Sequence, residues 1–342
     1  MKKIIYYITD HGMGHATRSI AIIRKLKELG IEVIVRNSNS ANIIKKSLPN
    51  TEIITGLTDV GPIIKSNGIS INQKQSEKKI VNWLENIDKY VKEELKTIHA
   101  FNPDLIVSDI SILPLITAKK MKKKSIAISN FTWYDVLKFL PSNYREFIKK
   151  SYSFADYVIK LPIGTKMNHF QNKKKVGYVS RIPMNSKNTI RKKLGIKESD
   201  IVVTFALGGS SEKISCKINN KIKILSMNSN IDSSLNFLDV SNWIEGQDIV
   251  QASDVVICKC GYGLISECIT SGTSFCYVVD ETHQEQLAMH EELSKIGYGK
   301  KIQLKDINQF TIDEKFLKSI PITEKQPNDI DNTVKYIVNK LI

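Results

Sequence analysis

The run Asp10-His11-Gly12-Met13-Gly14-His15-Ala16-Thr17-Arg18 gathers two imidazoles, two glycines and a guanidinium between an apolar stretch and a helix-periodic one. Imidazole is the side chain best suited to take a proton from a hydroxyl near neutral pH, so His11 and His15 are the candidate bases. His15, nearer the first helical turn, is preferred; His11 is weighed against simple capping or packing of the helix start. Gly12 and Gly14 let backbone approach a ligand, and the unpaired N–H groups of the following helix suit an anion. The third glycine of the dinucleotide fingerprint is missing, and Arg36 and Asn37 stand where an acidic residue would close the second strand, which argues against an NAD site. Two further turns have the same character. Gly208-Gly209-Ser210-Ser211 follows an apolar strand, and Gly261-Tyr262-Gly263 precedes an apolar-periodic helix that carries Ser266 and Glu267.

These residues need a scaffold, and the periodicity supplies one. Lys3 to Thr9 reads as a buried strand, Ala16, Ile20, Ile23 and Leu26 recur at helical spacing until Gly30, and Ile31 to Arg36 forms a second strand. Such a unit crosses over right-handedly and implies a parallel sheet. A long helix is expected over Lys78 to Ala100, a strand over Leu105 to Val107 with Asp109 just past it, a helix over Leu113 to Met121, and a strand over Ser125 to Ser129 with Asn130 beyond. The carboxyl edge of such a sheet is where open α/β folds bind ligands. The pattern breaks between Leu161 and Lys187 around Pro162, Gly164, Gly177 and Pro183, and resumes with strands at Ile201 to Leu207, near Lys221 to Ser226 and Leu235 to Leu238, at Val255 to Cys258 and at Phe275 to Val279.

The stretch from Tyr6 through Arg18 resembles the amino-terminal loop of glycosyltransferases of the GT-B fold. It is especially similar to the glycosyltransferase-like part of plant arabinokinases and to family 28 transferases. Ile106-Val107-Ser108-Asp109, Ser129-Asn130-Phe131-Thr132-Trp133 and Lys259 through Glu267 agree in order, so the similarity spans residues 3 to about 297. It implies an α/β protein of two Rossmann-like domains facing across a cleft: an acceptor-side domain over 1–160, a junction over 161–187, a nucleotide-sugar-binding domain over 188–325, and a terminal helix over 326–342 packing back on the first. The implied activity is inverting, metal-independent transfer of a sugar from a nucleoside diphosphate, with UDP the expected nucleotide, to an acceptor hydroxyl. His15 would be the base and Asp109 its orienter, with a helix N-cap or an acceptor contact as the other roles open to Asp109. His11, Arg18 and Asn130 would lie on the acceptor side. Gly12, Gly14, Gly208, Gly209, Ser210, Ser211, Gly261, Tyr262, Gly263 and Ser266 would surround the donor, Glu267 would take its ribose hydroxyls, and Glu285 and Gln286 would contact its sugar. Two departures from the family stand out. Leu287 to His290 lacks the asparagine that often follows the glutamine, and the stretch after Ser211 is shorter and more polar than the usual helix. The same fold also hosts sugar-nucleotide 2-epimerases, and a non-catalytic sugar-nucleotide-binding protein is the remaining alternative.

Composition narrows the partners. The 342 residues suit two domains, and no run of about 18 apolar residues could cross a bilayer as a helix. Lys2 to Ile8 mimics the start of a signal peptide, but Asp10 and His11 end the apolar run too early. A net charge of +15 suits an anionic membrane surface or reflects compositional bias towards lysine. The clusters at Lys119 to Lys124 and Lys173 to Lys175 lack interleaved aromatics, which argues against nucleic acid. Five cysteines, with no Cys-x-x-Cys pair, read as reduced thiols of a cytoplasmic protein, peripheral to a membrane at most. No metal or cofactor is expected, and Asp329-Ile330-Asp331, the single Asp-x-Asp, reads as a solvated acidic stretch. The acceptor is left open among lipid-linked sugar, glycan and small metabolite.

Overall fold

Alternating apolar runs and amphipathic helices give two parallel-sheet units in the computed structural model, which describes residues 2–208, 213–309 and 311–341. One unit comprises Met1–Ile63, Ile71–Ser180 and Asn328–Ile342, the other Ile64–Ser70 and Arg181–Pro327. Gly209, Ser210 and Ser211 lie outside the described residues.

In the first unit, β1 (Lys3–Ile8), α1 (Met13–Glu28), β2 (Glu32–Arg36), α2 (Ala41–Ser47) and β3 (Glu52–Ile54) are followed by α3 (Gln73–Glu85), α4 (Ile87–Phe101), β4 (Leu105–Asp109), α5 (Leu113–Met121) and β5 (Lys124–Ser129). The chain continues through α6 (Trp133–Val136), α7 (Ser142–Tyr152), β6 (Tyr157–Lys160) and β7 (Lys174–Lys175). The strands form one parallel sheet in the order β3-β2-β1-β4-β5-β6-β7. Strands covered on both faces must be apolar almost throughout, which is why Ile4 to Ile8 and Leu105 to Val107 are near-continuous hydrophobic runs, all of them buried.

In the second unit, α8 (Lys187–Lys193), β8 (Ile201–Ala206), β9 (Lys217–Ile218), β10 (Ile222–Ser226), β11 (Phe237–Asp239), α9 (Gly246–Ala252), β12 (Val255–Lys259), α10 (Tyr262–Ser271), β13 (Ser274–Val278), α11 (Gln284–Ile296) and β14 (Lys300–Ile302) build a second parallel sheet. Its order is β11-β10-β8-β12-β13-β14, and β15 (Thr311–Ile312) pairs separately with β9. After α12 (Glu314–Lys318) the chain returns to the first unit, where α13 (Ile330–Val338) packs on α1 and Asp331 pairs with Lys25 at 3.0 Å.

Three local expectations change. The single helix over Lys78 to Ala100 is two, because Asn86 turns its amide back onto the Asn82 carbonyl at 2.8 Å and ends α3, which itself starts earlier behind an Asn72 cap. Asp109 is the last residue of β4, paired in register with Ile8, so its side chain is set by the sheet rather than by a loop. Asp329 is no loose surface acid: its carboxylate accepts the Gly177 amide at 2.7 Å. The described residues between Gly208 and β9 contain no helix, in line with the short polar stretch there.

Candidate active site

Each sheet reverses its strand order once in its middle, between β1 and β4 in the first and between β8 and β12 in the second. The loops leaving such a pair of strands diverge and leave a crevice at their carboxyl ends. The Asp10 to His15 turn and Asp109 lie at the first of these points, and Gly208, Lys259 and Gly261 at the second. Topology, not sequence proximity, gathers them.

At the first point, His15 Nδ1 lies 2.8 Å from Asp109 Oδ1. Arg18, three residues further along the same helix face, sends Nε to Asp109 Oδ2 at 2.8 Å and Nη2 to Oδ1 at 2.5 Å, and Ser19 adds its hydroxyl to Oδ2 at 2.9 Å. Arg18 Nη2 also lies 2.7 Å from His15 Nδ1, which raises the question of the tautomer. A guanidinium only donates, so Nδ1 either donates to Asp109 or accepts from Arg18. Acceptance would face an unprotonated Nδ1 lone pair against a carboxylate oxygen 2.8 Å away. Donation satisfies every group, because the two Nη2 protons then go to Asp109 and to Ser129 Oγ at 3.1 Å. The Nε2 lone pair of His15 is therefore the one left for chemistry.

The electrostatics agree with this assignment. Burial lowers the pKa of His15, the Arg18 cation lowers it further, and Asp109 opposes both. Burial pushes Asp109 upwards, but Arg18 and His15 outweigh it and hold the carboxyl well below the usual range. The pair at neutral pH is a neutral imidazole on a carboxylate, already poised to accept one proton.

The other first-unit residues are divided between exposure and support. Gly12 adopts φ +85° as the N-cap of α1, with no side chain capping the helix, and Gly14 lies within the first turn. His11 donates its backbone N–H to Thr9 Oγ1 at 3.1 Å and sets its ring edge-on to Trp133. Arg18 and Asn130, expected to meet an acceptor, are buried beneath the pair instead. Asn130 accepts from Arg18 Nη1 at 2.6 Å and donates to the Ile163 carbonyl at 3.1 Å, so both hold Asp109 in place. Helical spacing explains this, since position 18 must share the inward face of position 15.

In the second unit Gly208 is exposed with φ +43°, and Gly261 caps α10 without a side-chain bond and with open space where a Cβ would stand. Tyr262 and Gly263 are buried in the first turn of α10, and Ser266 sends its hydroxyl back to the Gly263 carbonyl at 2.9 Å. Glu267 is only 1% exposed, and Arg181 Nε donates to its Oε1 at 2.7 Å. Burial raises its pKa and Arg181 opposes the rise. Its carboxylate thus meets a guanidinium within its own unit, and a ribose would have to share the remaining lone pairs. Glu285 is half-buried in the first turn of α11, and Gln286 accepts the Asp280 amide at 2.8 Å.

Three residues were given no role by the sequence reading. Arg181 carries no motif and is 86 positions from Glu267. Lys259, at the end of β12, donates Nζ to the carbonyls of Gly68 and Gly208, forms no ion pair with a described carboxylate, and has its pKa lowered by burial. Asp59 follows an irregular stretch, yet Thr9 Oγ1 and Trp133 Nε1 each donate to its carboxylate at 2.9 Å. All five cysteines are free and buried, and no group of three or more His, Cys, Asp or Glu among the described residues could hold a metal ion.

The fold has known counterparts. Residues 2–175, half of the chain, match the model described as glycosyl transferase family 1, and residues 188–340 match the glycosyltransferase family 28 C-terminal domain. Among solved structures, the glycosyltransferase SnogD from Streptomyces nogalater superposes with a TM-score of 0.65 at 13% identity, covering 99% of both chains. MurG from Acinetobacter baumannii gives 0.57 at 14% identity over 99% of this chain and 100% of its own. The spinosyn rhamnosyltransferase SpnG, complexed with thymidine diphosphate, gives 0.58 at 10% identity over 100% and 92%. The fold is GT-B, and both matched models describe glycosyltransferase domains. The chain belongs to glycosyl transferase family 1. L-arabinokinase of Arabidopsis thaliana is 24% identical over 317 residues, covering 88% of this chain; the chain spans 30% of that relative's length.

Proposed function

We propose that this glycosyltransferase moves a sugar from a UDP-linked donor to an acceptor hydroxyl with inversion and without a metal ion, His15 acting as the base. The observation that carries the reading is the 2.8 Å contact of His15 Nδ1 with Asp109, which leaves Nε2 unprotonated. Nε2 takes the acceptor proton as its oxygen attacks the anomeric carbon, and the imidazolium that forms is stabilised by Asp109. The departing diphosphate gains from N–H groups at the uncapped start of α10 and from Lys259 at the end of β12. Fixed donors of this kind can take the place of a divalent cation. SpnG, solved with thymidine diphosphate, is a neighbour of the same fold, which supports a nucleoside diphosphate without choosing the base.

The exposed lysines 119, 120, 122 and 124, from the last turn of α5 to the start of β5, support weak attachment to anionic bilayers. No helix among the described residues is long and apolar enough to cross a membrane.

The test is a panel of UDP- and TDP-sugars with and without acceptors, with product anomeric configuration read by NMR and chelator added in parallel. Release of UDP with an inverted product in the presence of chelator is expected. Epimerised donor without acceptor, a retained configuration, or loss of turnover on chelation overturns the reading.

A further inference from the structure

Beside the Asp10-His11 turn of the first unit lies a cavity of about 270 Å³, lined by Asp10, His11, Ser38, Asn39, Asp59 and Lys79. Asp59 is 2% exposed and carries only neutral donors, the Thr9 hydroxyl on Oδ1 and the Trp133 indole on Oδ2, each at 2.9 Å. No described lysine, arginine or histidine pairs with it. Each carboxylate oxygen accepts more than one hydrogen bond, so acceptor capacity is left over. Asp10 spends Oδ1 on the amides of Ser38 and Asn39 at 2.8 and 2.9 Å, which fixes the turn, and no described residue bonds its Oδ2.

The cavity adjoins the His15 site. Thr9, which bonds Asp59, sends its amide to the Asp109 carbonyl at 3.3 Å. Phe131 packs edge-on against both His15 and Trp133, with ring centroids 5.6 and 5.5 Å apart, and Trp133 in turn bonds Asp59. Phe131 and Trp133 in series thus link the two places.

We propose that this cavity binds a saccharide or polyol portion of the acceptor, with Asp59 and Asp10 hydrogen-bonding its hydroxyl groups. The proposal rests on the transferase reading above and gives its acceptor a chemical class. An apolar acceptor would strip water from two carboxyl groups and return no hydrogen bond, which buried polar groups do not tolerate without loss of affinity. Neighbouring hydroxyls do return them. At about 270 Å³ the space falls just under the range of drug-sized sites, so it holds about one ring and not a broad aglycone. Gly61 belongs to the same design, because a Cβ there would meet the His11 ring at 2.4 Å and push it from the wall.

Saturation-transfer NMR on the full chain tests this with methyl β-glucopyranoside and myo-inositol as polyols, 2-naphthol as the apolar probe and cyclohexylamine as the cationic one. Leu57, 45% exposed and lining the same cavity, allows a blocking variant, Leu57→Trp, that leaves the core untouched. Polyol signals are expected in the native chain, weaker by about tenfold or more in Leu57→Trp and reduced in Asp59→Asn. Calorimetry of UDP binding runs on the same samples and should be unchanged by both substitutions. Polyol signals that persist in both variants, an absence of polyol signal, or binding confined to naphthol or to cyclohexylamine overturns the proposal. Failure of the native chain to bind UDP strikes the donor reading instead and leaves the polyol result to stand by itself.

Discussion

Replacing Asp59 by asparagine should stabilise the protein most above neutral pH and do nearly nothing below pH 3.8. Burial pushes the Asp59 carboxyl from its ordinary 3.8 up to about 7, against the lowering effect of its bonds from Trp133 and Thr9 and with help from the nearby charges of Asp10 and Asp109. The folded chain therefore holds a proton that the unfolded chain releases between those two values. Stability from this group is complete below pH 3.8, is lost as pH rises, and levels off above about 7. At ~1.4 kcal/mol per pH unit the interval bounds the loss at about 4 kcal/mol, and local relaxation reduces it to about 1–3 kcal/mol. Asparagine fits the same space: Oδ1 can accept from Trp133, and Nδ2 can donate to the Thr9 hydroxyl, which both gives and receives. Urea denaturation followed by tryptophan fluorescence between pH 5 and 8 measures the effect. The stability difference, variant minus native, should grow with pH. A difference that stays flat, or that moves in favour of the native chain as pH rises, refutes the buried-acid account.

His15→Ala should lower turnover by about 10² to 10⁴ while UDP affinity stays within a factor of about two, because proton removal matters only in the transition state. In the native enzyme the acid limb of kcat/KM should fall below pH 6.5, since burial and then Arg18 depress His15; a limb well above 6.5 would contradict the assigned tautomer and base. Glu267→Ala should destabilise the chain by about 3–5 kcal/mol, as Arg181 is left buried without its partner, whereas Glu267→Gln should fold and isolate any effect on UDP binding. An alanine variant as stable as the native protein would mean that the ion pair is solvated. Lys259→Gln should weaken UDP about tenfold, read by calorimetry, through loss of a charge-assisted contact worth about 1.5 kcal/mol, and unaltered affinity would remove Lys259 from the donor site. Flotation with anionic vesicles should retain the protein at low salt only, while equal retention by neutral vesicles would assign the +15 charge to compositional bias.

Local pattern determined most of the scaffold. Strand runs such as Ile4 to Ile8 and Val255 to Cys258 had to be buried on both faces, glycine turns had to follow them, and Gly30, with φ +75°, had to end α1. The pairing of His15 with Asp109 is what the family resemblance implies, and the parallel sheet places the start of α1 and the end of β4 at the same edge. What only the tertiary structure decided is who else shares the carboxylate. Arg18 and Asn130 have the residue types of ligand contacts, yet the inward face of α1 turns Arg18 onto Asp109 and the end of β5 sets Asn130 against Arg18. Glu267 has the spacing of an accessible helix carboxylate, but Arg181 arrives from a distant segment to close it. Asp59 carries no motif at all, and its raised pKa comes first from burial without a cation and then from the charges of Asp10 and Asp109, against the bonds from Trp133 and Thr9. Sequence periodicity reports the side of an element that meets the core. Hydrogen-bond partners and desolvation depend on residues tens of positions away, and those are fixed only when the sheets assemble.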